Sequence, residues 1–208
     1  MLQSIQKNGL RLAIFAIGTT ALVALTNALT EDQIKAQEQK QLRSVLNEVI
    51  PASMHDNQLT QSCILLPSQT PVTEDPLPAY IAKKDGQVTA IAIETYAPEG
   101  YAGPIKLIVG LDMHGTVLGS RVLTHKETPG LGDKIDLRVS DWILSFTQKK
   151  VTQDNLSTWA VRKDGGEFDQ FTGATITPRA VVKAVKNTAL YFNKDQDAIL
   201  NQSTQCEG

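Results

Sequence analysis

This chain has little of what most metal, nucleic-acid and hydrolytic chemistry needs. Its three histidines, His55, His114 and His125, are scattered, and no His/Cys pairing has the spacing of a zinc site. Two cysteines cannot hold an iron–sulfur cluster, which normally takes four thiolates. Aromatic residues make up 5% of the chain and the formal net charge is −2. No basic stripe is interleaved with aromatics, so nothing points to an electrostatic hold on nucleic acid. There is no Gly-x-Ser-x-Gly for a nucleophilic hydrolase. Gly130-Leu131-Gly132 lacks the third glycine and the βαβ surroundings of a dinucleotide fingerprint, and no Walker A sequence is present. No repeat of solenoid length occurs. If such a chain moves electrons, its carrier must be organic.

One long hydrophobic run is present. Leu10 to Leu29 is apolar apart from Arg11, a few small hydroxyls and Asn27, and carries no charge from Leu12 onward. About 20 residues at a rise of about 1.5 Å span a hydrocarbon core of about 30 Å. Lys7 and Arg11 precede or open the run, whereas Glu31 and Asp32 follow it. That asymmetry predicts a cytoplasmic N-terminus and the bulk of the chain on the other side of the membrane. The competing reading is a cleaved signal peptide. Asn27-Ala28-Leu29 matches a cleavage site poorly and the run exceeds a usual signal core of about 7–15 residues, which favours a retained anchor. The expected organisation is a cytoplasmic N-terminus over residues 1–9, a transmembrane helix over 10–29, a membrane-proximal helix over 30–50 and an outer domain over 51–208.

The cysteines fit an exported domain. Cys63 and Cys206 both follow the predicted span and are too far apart in sequence for a Cys-x-x-Cys site. In an oxidising compartment they could bridge, pinning the C-terminal tail to an early loop. Two unpaired thiols are the open alternative, since pairing depends on geometry.

Beyond the span, Thr30 to Val49 predicts a helix with Ile34, Leu42, Val45, Leu46 and Val49 on one face, Thr30 as cap and Gln33 at the capping-box position. Pro51 to Pro78, with five prolines, reads as a long wrapping loop with short extended pieces. Tyr80 to Ala82 and Val88 to Thr95 form a predicted hairpin with Asp85-Gly86 in its turn. Ile105 to Leu111 and Val117 to Leu123 form a second. Ser140 to Phe146 suggests a short helix and Trp159-Ala160-Val161 one more strand. Arg179 to Phe192 repeats apolar residues at helical spacing. The fold class is α+β, a mostly antiparallel sheet with helices packed on it, behind an N-terminal membrane helix. Trp142 and Trp159 are assigned to the core.

Two segments carry candidate chemistry. In Asp169-Gln170-Phe171-Thr172-Gly173-Ala174-Thr175-Ile176-Thr177-Pro178, three threonine hydroxyls fall within six residues beside small side chains, directly before a helix. Thr177 is a good N-cap and Pro178 suits the first helical position. A helix start leaves N–H groups unpaired and carries partial positive charge, so it can seat a phosphate. Gly173 and Ala174 leave room for a bulky group at Thr175. The second segment, His125-Lys126-Glu127-Thr128-Pro129-Gly130-Leu131-Gly132, has turn chemistry at Thr128-Pro129-Gly130, and its glycines allow positive φ or close backbone approach. Between them, Lys163 to Glu167 reads as a flexible turn.

Asp-x-x-Thr-Gly-Ala-Thr resembles the flavinylation motif of the FMN-binding domain family. The pattern with its N-terminal anchor is most similar to the G subunits of the Rnf/Rsx ion-translocating electron-transport complexes. The resemblance implies FMN joined through a phosphoester to Thr175, with Asp169, Thr172, Gly173, Ala174 and Thr177 around the attachment point. It also implies that Glu127, Thr128, Gly130, Leu131 and Gly132 belong to the loop that faces the flavin. A separate periplasmic flavin transferase would attach FMN from FAD, making Thr175 an acceptor and not a catalyst. The implied role is a redox subunit, not catalytic alone, in the bacterial inner membrane. It would relay electrons in a complex that couples NADH and ferredoxin-type carriers to Na⁺ or H⁺ movement. Implied partners are polytopic membrane subunits, iron–sulfur subunits and a second covalent-FMN subunit. The ion path is expected in the polytopic partners, because this span carries no acid or base from Leu12 onward. Two rival readings are the C subunit of the sodium-pumping NADH:quinone reductase, with the same cofactor chemistry, and a non-redox anchored scaffold or binding module.

Overall fold

A computed structural model describes residues 2–206. The chain divides into two compact units, Met1–Leu42 and Arg43–Gly208. Helix α1, Leu2–Val49, forms the first unit and contributes its last turns to the second. Within it, Gln6–Glu31 has a mean hydropathy of 1.9 and is long and apolar enough to cross a membrane. Its side chains are exposed, Phe15 and Leu12 by more than 70%. The hydroxyls there turn back onto their own helix: Thr19 donates to the Phe15 carbonyl at 2.9 Å and Thr26 to that of Leu22 at 2.8 Å. Both are thus satisfied without any help from lipid.

The expected cap at Thr30 does not form. α1 runs through this position and the Thr30 hydroxyl donates to the Thr26 carbonyl at 2.9 Å. Nothing between Leu29 and Glu31 breaks the i to i−4 ladder, since neither Gly nor Pro is present, so two predicted helices are one.

The second unit is built on one antiparallel meander in the order β1 to β6: β1 (Cys63–Leu66), β2 (Leu77–Lys84), β3 (Gln87–Ala97), β4 (Ile105–Asp112), β5 (Thr116–Thr124) and β6 (Lys149–Lys150). Asp85 and Gly86, at φ 51° and 78°, make the two-residue turn between β2 and β3. At the β4–β5 turn, Asp112 Oδ1 accepts from the His114 and Thr116 N–H groups, both at 2.8 Å. Trp159–Val161 is not a strand. Its ladder contact is an isolated bridge from Val161 to Phe168, because Trp159 and Phe168 are drawn into an aromatic cluster with Phe146 instead of lying along an edge. The sixth strand falls at Lys149–Lys150. The short helix over Asp141–Phe146 is a 3-10 helix whose cap, Ser140, accepts from the Trp142 N–H at 3.2 Å.

Period-two alternation sends Ile91 and Ile93, Ile105, Leu107, Val109 and Leu111 to one face of the sheet. There they pack under helix α2, Ile176–Leu200, through Val181, Val185, Ala189 and Phe192. α2 outlasts the predicted end at Phe192 and bends at Asp195. The other face is lined by small residues, Ala82, Ala90, Ala92, Gly110 and Gly119, and receives the end of α1. A Cβ at Gly110 would sit 2.2 Å from the Val49 carbonyl oxygen, so only glycine admits the helix end there. Leu46, Val49 and Ile50 are fully buried as a result. On the same face Tyr80 donates to Glu94 Oε1 at 3.0 Å and Lys106 lies 2.6 Å from Oε2. Burial, followed by the Glu94 charge, pushes the Tyr80 hydroxyl up. Both tryptophans are in the core, Trp159 at 1% exposure.

Cys63 and Cys206 form a disulfide across a sequence separation of 143. The tail runs beside the outer edge of β1, with the Leu65 N–H donating to the Thr204 carbonyl at 2.9 Å and Ile64 bridging Gln205. It therefore covers an edge that would otherwise offer unpaired backbone groups. Replacing both cysteines by serine is expected to cost roughly 2–4 kcal/mol of stability, because so long a loop gains much freedom when released. Urea unfolding of the purified full chain in detergent, with and without reductant, measures this; equal midpoints would show that the bridge contributes nothing.

Candidate functional site

At the start of α2 the chain makes a compact knuckle. The Ala174 N–H donates to the Phe171 carbonyl at 3.2 Å, with Thr172 and Gly173 at the tip and Gly173 at φ 81°. Phe171, 6% exposed, anchors this turn edge-on against Trp142 at a 5.1 Å centroid separation. The Trp142 indole N–H donates to the Asp169 carbonyl at 2.8 Å. The turn is thus fixed from below, and its tip projects.

Local capping chemistry predicts Thr177 as the cap of α2, with Pro178 in the first helical position. α2 instead begins at Ile176, with Thr175 in the cap position, and Thr175 makes no side-chain capping bond. The reason is tertiary. The Thr177 hydroxyl is fully buried and donates to Glu127 Oε2 at 2.6 Å, a partner 50 residues away. Pro178 then falls within the first turn, where its missing N–H costs no helical bond.

Glu127 is 5% exposed. Its other oxygen, Oε1, accepts the Ala102 N–H at 3.1 Å, so one carboxylate joins the loop before β4, the loop after β5 and the first turn of α2. Gly132 lies against it: a Cβ there would come within 2.6 Å of Glu127 Oε2 and 2.8 Å of Thr177 Oγ1. Glycine at 132 is required by this close approach. The loop turns through Thr128, whose carbonyl accepts from the N–H groups of Leu131 and Gly132 at 3.1 and 3.2 Å. Upstream, the Glu127 N–H donates to His125 Nδ1 at 3.1 Å, which puts the ring proton on Nε2, 3.9 Å from Asp136 Oδ2. Hydrogen bonding from Arg138 holds the Asp136 carboxyl below the usual carboxylate range.

Together these segments enclose an open cleft of about 340 Å³ lined by Tyr101, Glu127, Thr128, Leu131, Gly132 and the run Gly173 to Thr177. Eight of the residues singled out from sequence meet there: Thr175, Gly173, Ala174, Thr177, Glu127, Thr128, Leu131 and Gly132. The other three stand outside the lining. Asp169 is exposed and pairs with Arg162 at 2.7 Å, Thr172 sits at the exposed tip, and Gly130, at φ 76°, is exposed in its turn. Sequence reasoning missed two lining residues, Tyr101 and Ile176, which are 69% and 46% exposed. A large apolar side chain left in water beside a cleft is an available surface, and in sequence the only hint at Tyr101 was its place between glycines.

The sequence profile of the FMN-binding domain matches residues 100–189, a stretch that contains every residue of the cleft. A second profile, the RnfG N-terminal region, matches residues 1–49, essentially the whole of α1. Full-length relatives are alike throughout. The G subunit of the ion-translocating oxidoreductase complex of Vibrio parahaemolyticus is 66% identical over 208 residues, covering 100% of this chain and 99% of the relative. The chain belongs to the RnfG family, the G subunits of ion-translocating oxidoreductase complexes. The RnfG-family protein of Vibrio cholerae strain O395 is 62% identical with complete coverage of both, and that of Shewanella oneidensis is 54% identical over 97% of this chain and 95% of its own. These relatives are G subunits rather than the related C subunit of the quinone reductase, which decides between the two flavoprotein readings.

The Glu127–Thr177 bond gives a direct test of the site's construction. Thr177→Val leaves a buried carboxylate oxygen without its donor and is expected to cost about 1–3 kcal/mol. Gly132→Ala forces a Cβ into the same contact and is expected to cost a similar amount by overpacking. Thermal unfolding of both variants checks this; wild-type midpoints would mean that the three segments are held by something else.

Proposed function

We propose that this chain carries FMN covalently on Thr175, through a phosphoester, and relays electrons within a membrane-bound ion-translocating oxidoreductase. The observation that carries the reading is the state of Thr175. It lines the cleft of the FMN-binding domain at the cap position of α2, and its side chain is not spent on capping the helix. Of the three threonines, Thr177 is buried in its bond to Glu127 and Thr172 stands outside the cleft lining, which supports Thr175 as the acceptor.

The residues present fit the group. The first-turn N–H groups of α2 have no helical acceptors and favour an anion, so a phosphate on Thr175 has its donors at hand. Tyr101, Leu131 and Ile176 offer exposed apolar surface for a flat ring, and Gly132 brings backbone close to it. When bound, FMN supplies reversible electron transfer by its ring. The chain itself binds, orients and leaves one side open. A covalent tether makes a shallow, open cleft sufficient, since even nanomolar binding, about 12 kcal/mol, permits loss of a dissociable cofactor. An open cleft in turn lets a partner's redox group come close.

The exposed members of the motif, Asp169 and Thr172, are available to a flavin transferase that attaches FMN from FAD. The partners implied are polytopic membrane subunits, iron–sulfur subunits and a second covalent-FMN subunit, with the main domain in the periplasm of a bacterial inner membrane. Lys7 and Arg11 before the span and a disulfide beyond it both support that orientation.

Co-production with a flavin transferase, followed by a denaturing gel under ultraviolet light, tests the attachment. A fluorescent band is expected for the parent and none for Thr175→Ala; a dark parent band beside an active transferase would refute the linkage. Orientation has its own measurement. Protease added to spheroplasts is expected to digest residues 43–208 and spare the extreme N-terminus, while protection of the domain would place it in the cytoplasm.

A further inference from the structure

We propose that Glu127 sets the reduction potential of the flavin as a fixed negative charge in the cleft wall, an inference that rests on the attachment at Thr175. The carboxylate is 5% exposed and lines the cleft. Both of its oxygens accept from neutral donors, the Ala102 N–H and the Thr177 hydroxyl, so neither bond brings a positive charge beside it. Among the described residues it makes no ion pair: the nearby His125 directs its Nε2 to Asp136, and the cleft lining contains no Lys or Arg. The other buried acids among the described residues each have a cation beside them, Glu94 with Lys106 and Asp136 with Arg138. The unpaired state of Glu127 is thus particular to this wall.

A buried charge acts at distance because little water screens it. Reduction adds two electrons and one proton to the ring and leaves one net negative charge on it. With the ring held in this cleft, that charge would add to the charge of Glu127 in the wall and to that of the phosphodiester on Thr175. The positive end of the α2 dipole is shared between these two anions. Glu127 therefore disfavours the reduced ring and holds the potential low. The electrons come from a partner redox group in the complex, or from dithionite in the test.

The full chain, flavinylated by co-production with the transferase and purified in detergent, is titrated with dithionite against reference dyes. Glu127→Gln is expected to move the midpoint to more positive values, and Glu127→Asp, which keeps the negative charge in the wall, is expected to bring it back towards the parent. If Glu127→Gln fails to load flavin, the double variant Glu127→Leu/Thr177→Val replaces donor and acceptor together by apolar groups, which is better tolerated than orphaning one; it is expected to show the same positive shift. An unchanged midpoint on neutralising Glu127, or an equal shift in Glu127→Asp, overturns the proposal in favour of a purely structural carboxylate. A parent chain that carries no flavin on Thr175 overturns the attachment instead, so the two failures are distinct.

Discussion

A single buried carboxylate organises the cleft. Glu127 reaches the Ala102 backbone with one oxygen and the Thr177 hydroxyl with the other, and Gly132 leaves the space in which both bonds fit. Remove any of the three partners and two loops and a helix start lose their common point of attachment. A buried acceptor left without its donor is more costly than the bond itself is favourable, so the arrangement is all-or-none in character.

The rest of the domain keeps this junction rigid. The sheet presents a continuous apolar face to α2, so the helix cannot shift along its axis without opening the core. Phe171 and Trp142 anchor the turn before the helix, and the indole N–H holds the Asp169 carbonyl, so the projecting threonines sit on a fixed base. On the far face, small residues admit the last turns of α1, and at the sheet edge the disulfide holds the tail along β1. An electron carrier needs such stiffness more than it needs a deep pocket. Transfer depends on where the redox group stands, and a rigid wall fixes that position.

Much of this is legible in the chain. The apolar span, the Asp85-Gly86 hairpin, the β4–β5 hairpin and the long C-terminal helix follow from local periodicity and turn chemistry, and each is present in the fold. The loop from Glu127 to Gly132 and the threonine turn are recognisable as special from their glycines and hydroxyls. The failures at the site and in the core have one cause, a distant partner, whereas the missing cap at Thr30 is local, an unbroken helix. Thr177 carries the best local capping signal and is used elsewhere, because Glu127 bids for its hydroxyl across 50 positions. Trp159 to Val161 has strand composition and is taken into an aromatic cluster instead. Tyr101 and Ile176 became part of the site only when three segments met.

Sequence alone determined the elements with strong local rules: the apolar length that spans a bilayer, the alternation that makes a half-buried strand, and the turn dipeptides between strands. It also supplied the chemical types around Thr175. Tertiary structure decided which threonine hydroxyl stays available, whether the two cysteines meet, and which exposed apolar side chains share a wall. Those outcomes rest on contacts between residues 25 to 143 positions apart, and local propensity carries no information about a partner at that distance.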